Sequence, residues 1–180
     1  MAVRMVALLR GINVGRNKQI AMADLRAVLT ALGYADVETH LRSGNAAFTA
    51  DPGAARTAAA DIERAVAGKL GMRSSVIVRT GTELDAVLTN APMLDLMTDP
   101  ARYLVGFLAD DPAPDAADAI AAIDVDPDRI RLVRSEVYLW CPAGIAASPL
   151  NKTGWERALG VDVTTRNWRT VEKLTAMARR

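Results

Sequence analysis

Residues 3–10, VRMVALLR, place Met5, Ala7 and Leu9 against Val6 and Leu8, so alternate positions are apolar on both sides and a strand is predicted. After a polar loop, Leu25, Val28, Leu29 and Leu32 recur at helical spacing, Asp24 suits the positive end of the helix dipole, and Gly33 marks the stop. "VETHLRSGNAAFTA" predicts two strands joined by a tight turn at Ser43, Gly44 and Asn45. Asp51 and Pro52 suit an N-cap and first helical residue, Ile62, Val66 and Leu70 mark the helix that follows, and it stops near Gly71. "SSVIVRT" is the next strand. A short helix then opens on a Thr80/Glu83 capping box, with Leu84, Val87 and Leu88 as its apolar stripe.

The pattern then restarts. "RYLVGFLAD" predicts a strand, residues 114–123 a helix, and "RIRLVR" with "VYLWC" a hairpin. Ser148 and Pro149 open a helix carrying Trp155 and Leu159, and a final helix places Trp168, Val171 and Leu174 on one face. The first half therefore reads strand, helix, strand, strand, helix, strand, the order of a ferredoxin-like fold. The second repeats it, with a last helix in place of the fourth strand. The expected class is α+β: two ferredoxin-like (βαββαβ-type) halves, residues 1–80 and 81–180, with antiparallel sheets, helices on one face and a shared core.

Composition narrows the chemistry. The 180 residues are 51% hydrophobic and 24% charged, with a net charge of +1, so the global basic excess of a nucleic-acid binder is absent. One cysteine, Cys141, excludes an internal disulfide and argues against a cysteine metal site; one histidine, His40, is the single imidazole open to nucleophilic chemistry. His40 alternates within a strand and reads as a half-buried sheet position. No apolar run approaches the roughly 20 residues of a membrane span, and residues 5–9 are too brief for a signal peptide. A cytoplasmic location is expected, with no membrane partner.

In a 4-1-3-2 sheet the loop leaving strand 1 and the turn between strands 2 and 3 meet at one edge. "LLRGINVGRNKQ" and the turn then bring Arg10, Asn13, Arg16, Asn17 and Lys18 to Arg42, Ser43 and Asn45, and neither segment holds a carboxylate. The glycine loop fits no standard nucleotide grip. Three residues separate Gly11 from Gly15 where a P-loop has four, Arg-Asn-Lys follows without a hydroxyl, and the dinucleotide fingerprint is absent. A looser anion site remains, built from backbone N–H groups and bidentate arginine; against it stands a solvated loop whose asparagines serve its own carbonyls. Lys152, expected in the first turn of the Ser148 helix, and Arg166, expected to start the last helix, would oppose the helix dipoles unless an anion or an acidic neighbour, Glu156 or Asp162, answers them. Asp110, Asp111 and Glu136 are expected near the matching edge of the second half, more as a solvated turn than a cation site.

"LLRGINVGRNKQIAMADLR", "LRSGNAAF" and "SPLNKTGWERALGVDVTTRNWRTVEKL" resemble, in order and spacing, three stretches of the bacterial domain-of-unknown-function family 1697. The resemblance implies a two-part α+β fold and no activity. The family's recurring polar positions correspond to Arg10, Asn13, Asn17, Lys18, Ser43, Gly44, Asn45, Asn151, Thr164, Thr165, Arg166, Asn167 and Trp168. Arg16 and Arg42 depart from it, standing where glycine and glutamine are common, and both make the edge more basic.

The function these features favour is binding of a small phosphate- or carboxylate-bearing ligand by Arg10, Asn13, Asn17, Lys18, Arg42, Ser43, Asn45, Lys152, Arg166 and Asn167. No cofactor, metal or catalytic residue is indicated. The first alternative is nucleic-acid backbone binding by the same edge, disfavoured as base stacking because aromatics are only 4% of the chain. The second is a non-catalytic module that forms a homodimer through an apolar sheet face.

Overall fold

The computed structural model describes residues 2–14 and 19–179. The first unit comprises residues 1–85 and 173–180, the second residues 86–172.

In the first unit, β1 (Val3–Leu9), α1 (Met22–Ala31), β2 (Ala35–His40), β3 (Asn45–Ala50), α2 (Ala58–Leu70) and β4 (Val76–Thr80) follow the predicted order. The antiparallel sheet has the order β2-β3-β1-β4, which reads 4-1-3-2 from its other edge. Leu25, Val28 and Leu29 of α1 and Ile62 and Val66 of α2 pack on Met5, Ala7, Leu9, Phe48 and Val76. At about 25 cal/mol per Å2 of apolar surface, that burial is the main force holding helices to sheet. Tyr34 and Phe48 stack within this core, ring centroids 4.4 Å apart. The alternate β1 residues Val6 and Leu8 are also fully buried.

Local chemistry sets the helix boundaries. Pro52 opens a 3-10 turn, Pro52–Arg56, before α2. Gly71 ends α2 at φ +64°, a left-handed conformation that costs a Cβ-bearing residue energy. Thr80 and Glu83 form the predicted capping box at the start of α3 (Gly81–Thr89): the Thr80 amide donates to Glu83 Oε2 at 2.7 Å and the Glu83 amide to Thr80 Oγ1 at 3.2 Å. Residues 173–179 are tied to this unit through polar contacts. Arg4 donates to the Met177 carbonyl at 3.1 Å and pairs with Glu38 at 3.0 Å, and Arg179 pairs with Asp85.

The second unit runs β5 (Tyr103–Leu108), α4 (Ala116–Ala121), β6 (Arg129–Val133), β7 (Glu136–Trp140), α5 (Trp155–Ala158) and β8 (Val163–Asn167), and then enters α6 (Trp168–Ala178). Its sheet order is β6-β7-β5-β8. Here the sequence reading needs correction, because the fourth strand exists. "VTTRN" is strand β8, paired with β5 through Val105 and Arg166. Its β-branched run was hidden by its polar residues and by the strong helical stripe that begins at Trp168. Both sheets are antiparallel with helices packed on them, an α+β fold.

Candidate functional site

At the C-terminal end of β1 the backbone ties three segments together. The Leu9 amide donates to the Gly44 carbonyl at 2.8 Å, fixing the 41–44 turn beside the loop that leaves β1. The Arg10 amide donates to the Ser75 carbonyl at 2.9 Å, and the Ser74 hydroxyl returns a bond to the Arg10 carbonyl at 2.8 Å. Gly44 is the joint, at φ +80°. A Cβ there would lie 2.6 Å from Ile12 Cδ1 and 2.9 Å from Leu9 Cβ, so only glycine lets the turn sit this close.

Asparagines serve as clasps. The Asn13 side chain donates to the Ile20 carbonyl at 3.0 Å and the Arg42 carbonyl at 2.5 Å, and accepts from the Ile20 amide at 2.7 Å. Asn13 itself stands at φ +55°, which asparagine tolerates better than most residues. Asn45, fully buried, donates to the His40 carbonyl and to Ser43 Oγ. These two predicted binding residues thus hold the loop and the turn in shape.

The exposed face of the joint is basic. Arg10, Arg42 and Ser43 are exposed, and Arg42 donates to Gln19 Oε1 at 3.1 Å. Asn17 and Lys18, with Arg16 and Gly15, lie outside the described residues. The third segment escaped the sequence reading: residues 72–75 bring exposed Arg73 and half-buried Ser74 to this rim. The signal was available, since a 4-1-3-2 sheet sets the start of strand 4 beside the end of strand 1. Two carboxylates stand at the same end. Glu63 accepts from the Val76 amide at 2.7 Å, and Asp24 lies in the first turn of α1, where Ala21 supplies no side-chain cap.

His40 is half-buried at the end of β2, as expected, and burial together with the Lys173 charge lowers its pKa.

The candidates of the second unit have local roles. Lys152 does not open a helix; it ends a 3-10 turn, Pro149–Lys152, that Ser148 caps by accepting from the Leu150 amide. Arg166 lies within β8, so the dipole argument fails for both cations. Arg166 donates to Thr164 Oγ1 at 2.9 Å and the Thr165 carbonyl at 2.8 Å, and desolvation lowers its pKa to about 10, so it stays charged at neutral pH. Asn167 caps α6 by accepting from the Thr170 amide at 3.0 Å. Lys152 borders a shallow concavity of about 340 Å3 with Asn151, Glu156 and Arg157. Asp110 and Asp111 are exposed whereas Glu136 is buried, and among the described residues no group of acids, histidines and cysteines could hold a metal ion.

A buried chain also escaped the sequence reading. The Cys141 thiol donates to Ser148 Oγ at 3.7 Å, and Ser148 donates to the Asp128 carboxylate. Burial pushes the thiol pKa up to about 11. Residues 128, 141 and 148 are too far apart in sequence for their meeting to be read from spacing.

Among the described residues, no helix is long and apolar enough to cross a membrane. No curated protein matches the chain. The conserved bacterial protein SP0830 from Streptococcus pneumoniae is similar in fold: TM-score 0.75, 24% sequence identity, and 99% of each chain covered. The model of a family described as protein of unknown function (DUF1697) matches residues 2–138, which takes in the rim segments and stops before the third quoted stretch. With most of its length matched, the chain belongs to the DUF1697 family.

Proposed function

We propose that this protein binds a small anionic ligand, bearing phosphate or carboxylate, at the rim formed by the β1 loop, the 41–44 turn and residues 72–75. One observation carries the reading: backbone bonds from Leu9 and Arg10 gather three separate segments, and each contributes an exposed arginine, Arg10, Arg42 or Arg73. A guanidinium can grip a phosphate or carboxylate with two parallel bonds. Asn13 and Asn45 act in this reading as positioning residues.

Thermal unfolding measured with inorganic phosphate, nucleotides, sugar phosphates and small carboxylates tests it. At least one class should raise the melting temperature of the native chain, and Arg10→Ala with Arg42→Ala should abolish the rise. An unchanged rise in the double variant would overturn the site. Nucleic-acid backbone binding would instead give a complex at low salt that dissociates steeply as salt increases, with little sequence preference.

A further inference from the structure

The rim carries an apolar component that simple anion capture does not need. Among the described residues four large hydrophobics are exposed: Val14 at 73%, Leu41 at 55%, Leu94 at 41% and Leu96 at 38%. The first two stand on the rim. Val14 follows Asn13 and Leu41 precedes Arg42, and the Asn13 side chain donates to the Arg42 carbonyl at 2.5 Å, which ties the loop carrying Val14 to the turn carrying Leu41. Leu41 sits at φ +58°, a conformation in which glycine or asparagine is the cheaper choice. A turn selected only for solubility and shape would carry such a residue there. The chain instead keeps a large aliphatic side chain in water, beside cations.

We infer that the ligand is amphipathic, with an anionic head held by Arg10 and Arg42 and an aliphatic portion lying on Val14 and Leu41. The inference rests on the anion-binding reading of the same rim. A second copy of the chain fits less well, because a twofold contact through this patch would set Arg10 and Arg42 against their own equivalents. Nucleic acid fits less well too, since bases stack on aromatic rings and the described rim residues include none. A soluble acyl or alkyl phosphate and a lipid headgroup share the required chemistry.

Calorimetric titration with inorganic, methyl, butyl and hexyl phosphate, each below its aggregation limit, tests the inference. Affinity should rise about twofold per methylene, half the effect of full burial. The variant pair Val14→Ser and Leu41→Asn should flatten that rise while inorganic phosphate binds as before; asparagine tolerates the φ of residue 41, so folding is preserved. Phosphate binding with no dependence on chain length would overturn the amphipathic inference and leave the anion site standing. Failure of every phosphate, inorganic phosphate included, would remove both. Co-sedimentation with phosphatidylglycerol vesicles, lost in the variant pair, would assign the head to a lipid. Hexyl phosphate binding without co-sedimentation would assign it to a soluble amphiphile. Equal sedimentation with phosphatidylcholine and phosphatidylglycerol vesicles would overturn the anionic head.

Discussion

The same backbone joint occurs in both units with opposite side-chain charge. In the first, Leu9 donates to Gly44 and Arg10 to Ser75; in the second, Leu108 donates to the Ser135 carbonyl at 3.1 Å and Ala109 to the Asp162 carbonyl at 2.9 Å. Each joint links the end of a central strand to a hairpin turn and to the start of an edge strand. The first displays Arg10, Arg42 and Arg73, the second Asp110, Asp111 and Asp162 with Arg134 as the turn cation. Main-chain hydrogen bonds are indifferent to that choice. The frame is therefore architecture, and what the first rim can bind is set by a few side chains placed on it.

The largest expected effect concerns the joint. Gly44→Ala adds a Cβ against Ile12 and Leu9 in a left-handed conformation. Strain and overpacking together should cost about 2–4 kcal/mol by urea unfolding. Ser135 holds the matching place without a positive φ, so Ser135→Ala should cost less than about 1 kcal/mol. Equal losses would mean that the two joints are not built differently. The Asn13 clasp comes next. Asn13→Ala removes three side-chain bonds to backbone groups and should cost about 1–3 kcal/mol. Any phosphate-induced stabilisation should fall with it, because the turn would lose one of its ties to the loop. In the second unit exposed Asp110 accepts a local bond from the Asp111 amide at 2.9 Å, and Asp110→Ala should change stability by about 0.5 kcal/mol or less.

These contrasts show what a sequence pattern can carry. Helical spacing at Leu25, Val28 and Leu29, the stop at Gly71 and the Thr80/Glu83 box are short-range signals, and each appears in the structure as read. The meeting of the β1 loop with the 41–44 turn was legible too, because sheet order follows from element order. Strand β8 was not, since Thr164, Thr165, Arg166 and Asn167 carry no apolar alternation and Asn167 serves the next helix as its cap. Arg73 was missed for another reason: its exposed segment has no pattern of its own and takes meaning only from the strand after it. The double role of asparagine was hardest. In sequence Asn13 reads either as a ligand donor or as a clasp for the loop's own carbonyls, and the coordinates decide for the clasp; Asn45 is likewise committed to the turn.

Exchanging charge between the two rims should affect binding and leave stability almost unchanged. Arg10→Asp with Arg42→Asp gives the first rim the sign of the second. As exposed positions they should shift unfolding by about 0.5 kcal/mol each or less, while stabilisation by phosphate disappears. Asp110→Arg with Asp111→Arg should leave that stabilisation intact. If the first pair of changes preserved the response to phosphate, the difference in charge between the rims would have no bearing on binding.

The smallest effect is a difference in pH response at the two hairpins. β2 ends at His40 and β6 at Val133, each just before its turn. Burial and the Lys173 charge both disfavour the imidazolium, so the folded pKa of His40 lies below its ordinary value. The unfolded chain then binds the proton more tightly. Stability from the neutral imidazole is complete above about pH 6.5 and is lost as pH falls through the lower folded value. Because His40 is half-exposed, solvent screening should keep the loss below about 1 kcal/mol. His40→Val, which copies the second hairpin, should make the melting temperature fall less between pH 7 and pH 5. Lys173→Met should move the titration back toward the ordinary histidine value. His40 is the single histidine of the chain, so one imidazole resonance followed by NMR reports the pKa directly. A midpoint at or above 6.5 would show that neither burial nor Lys173 governs this end of the first sheet.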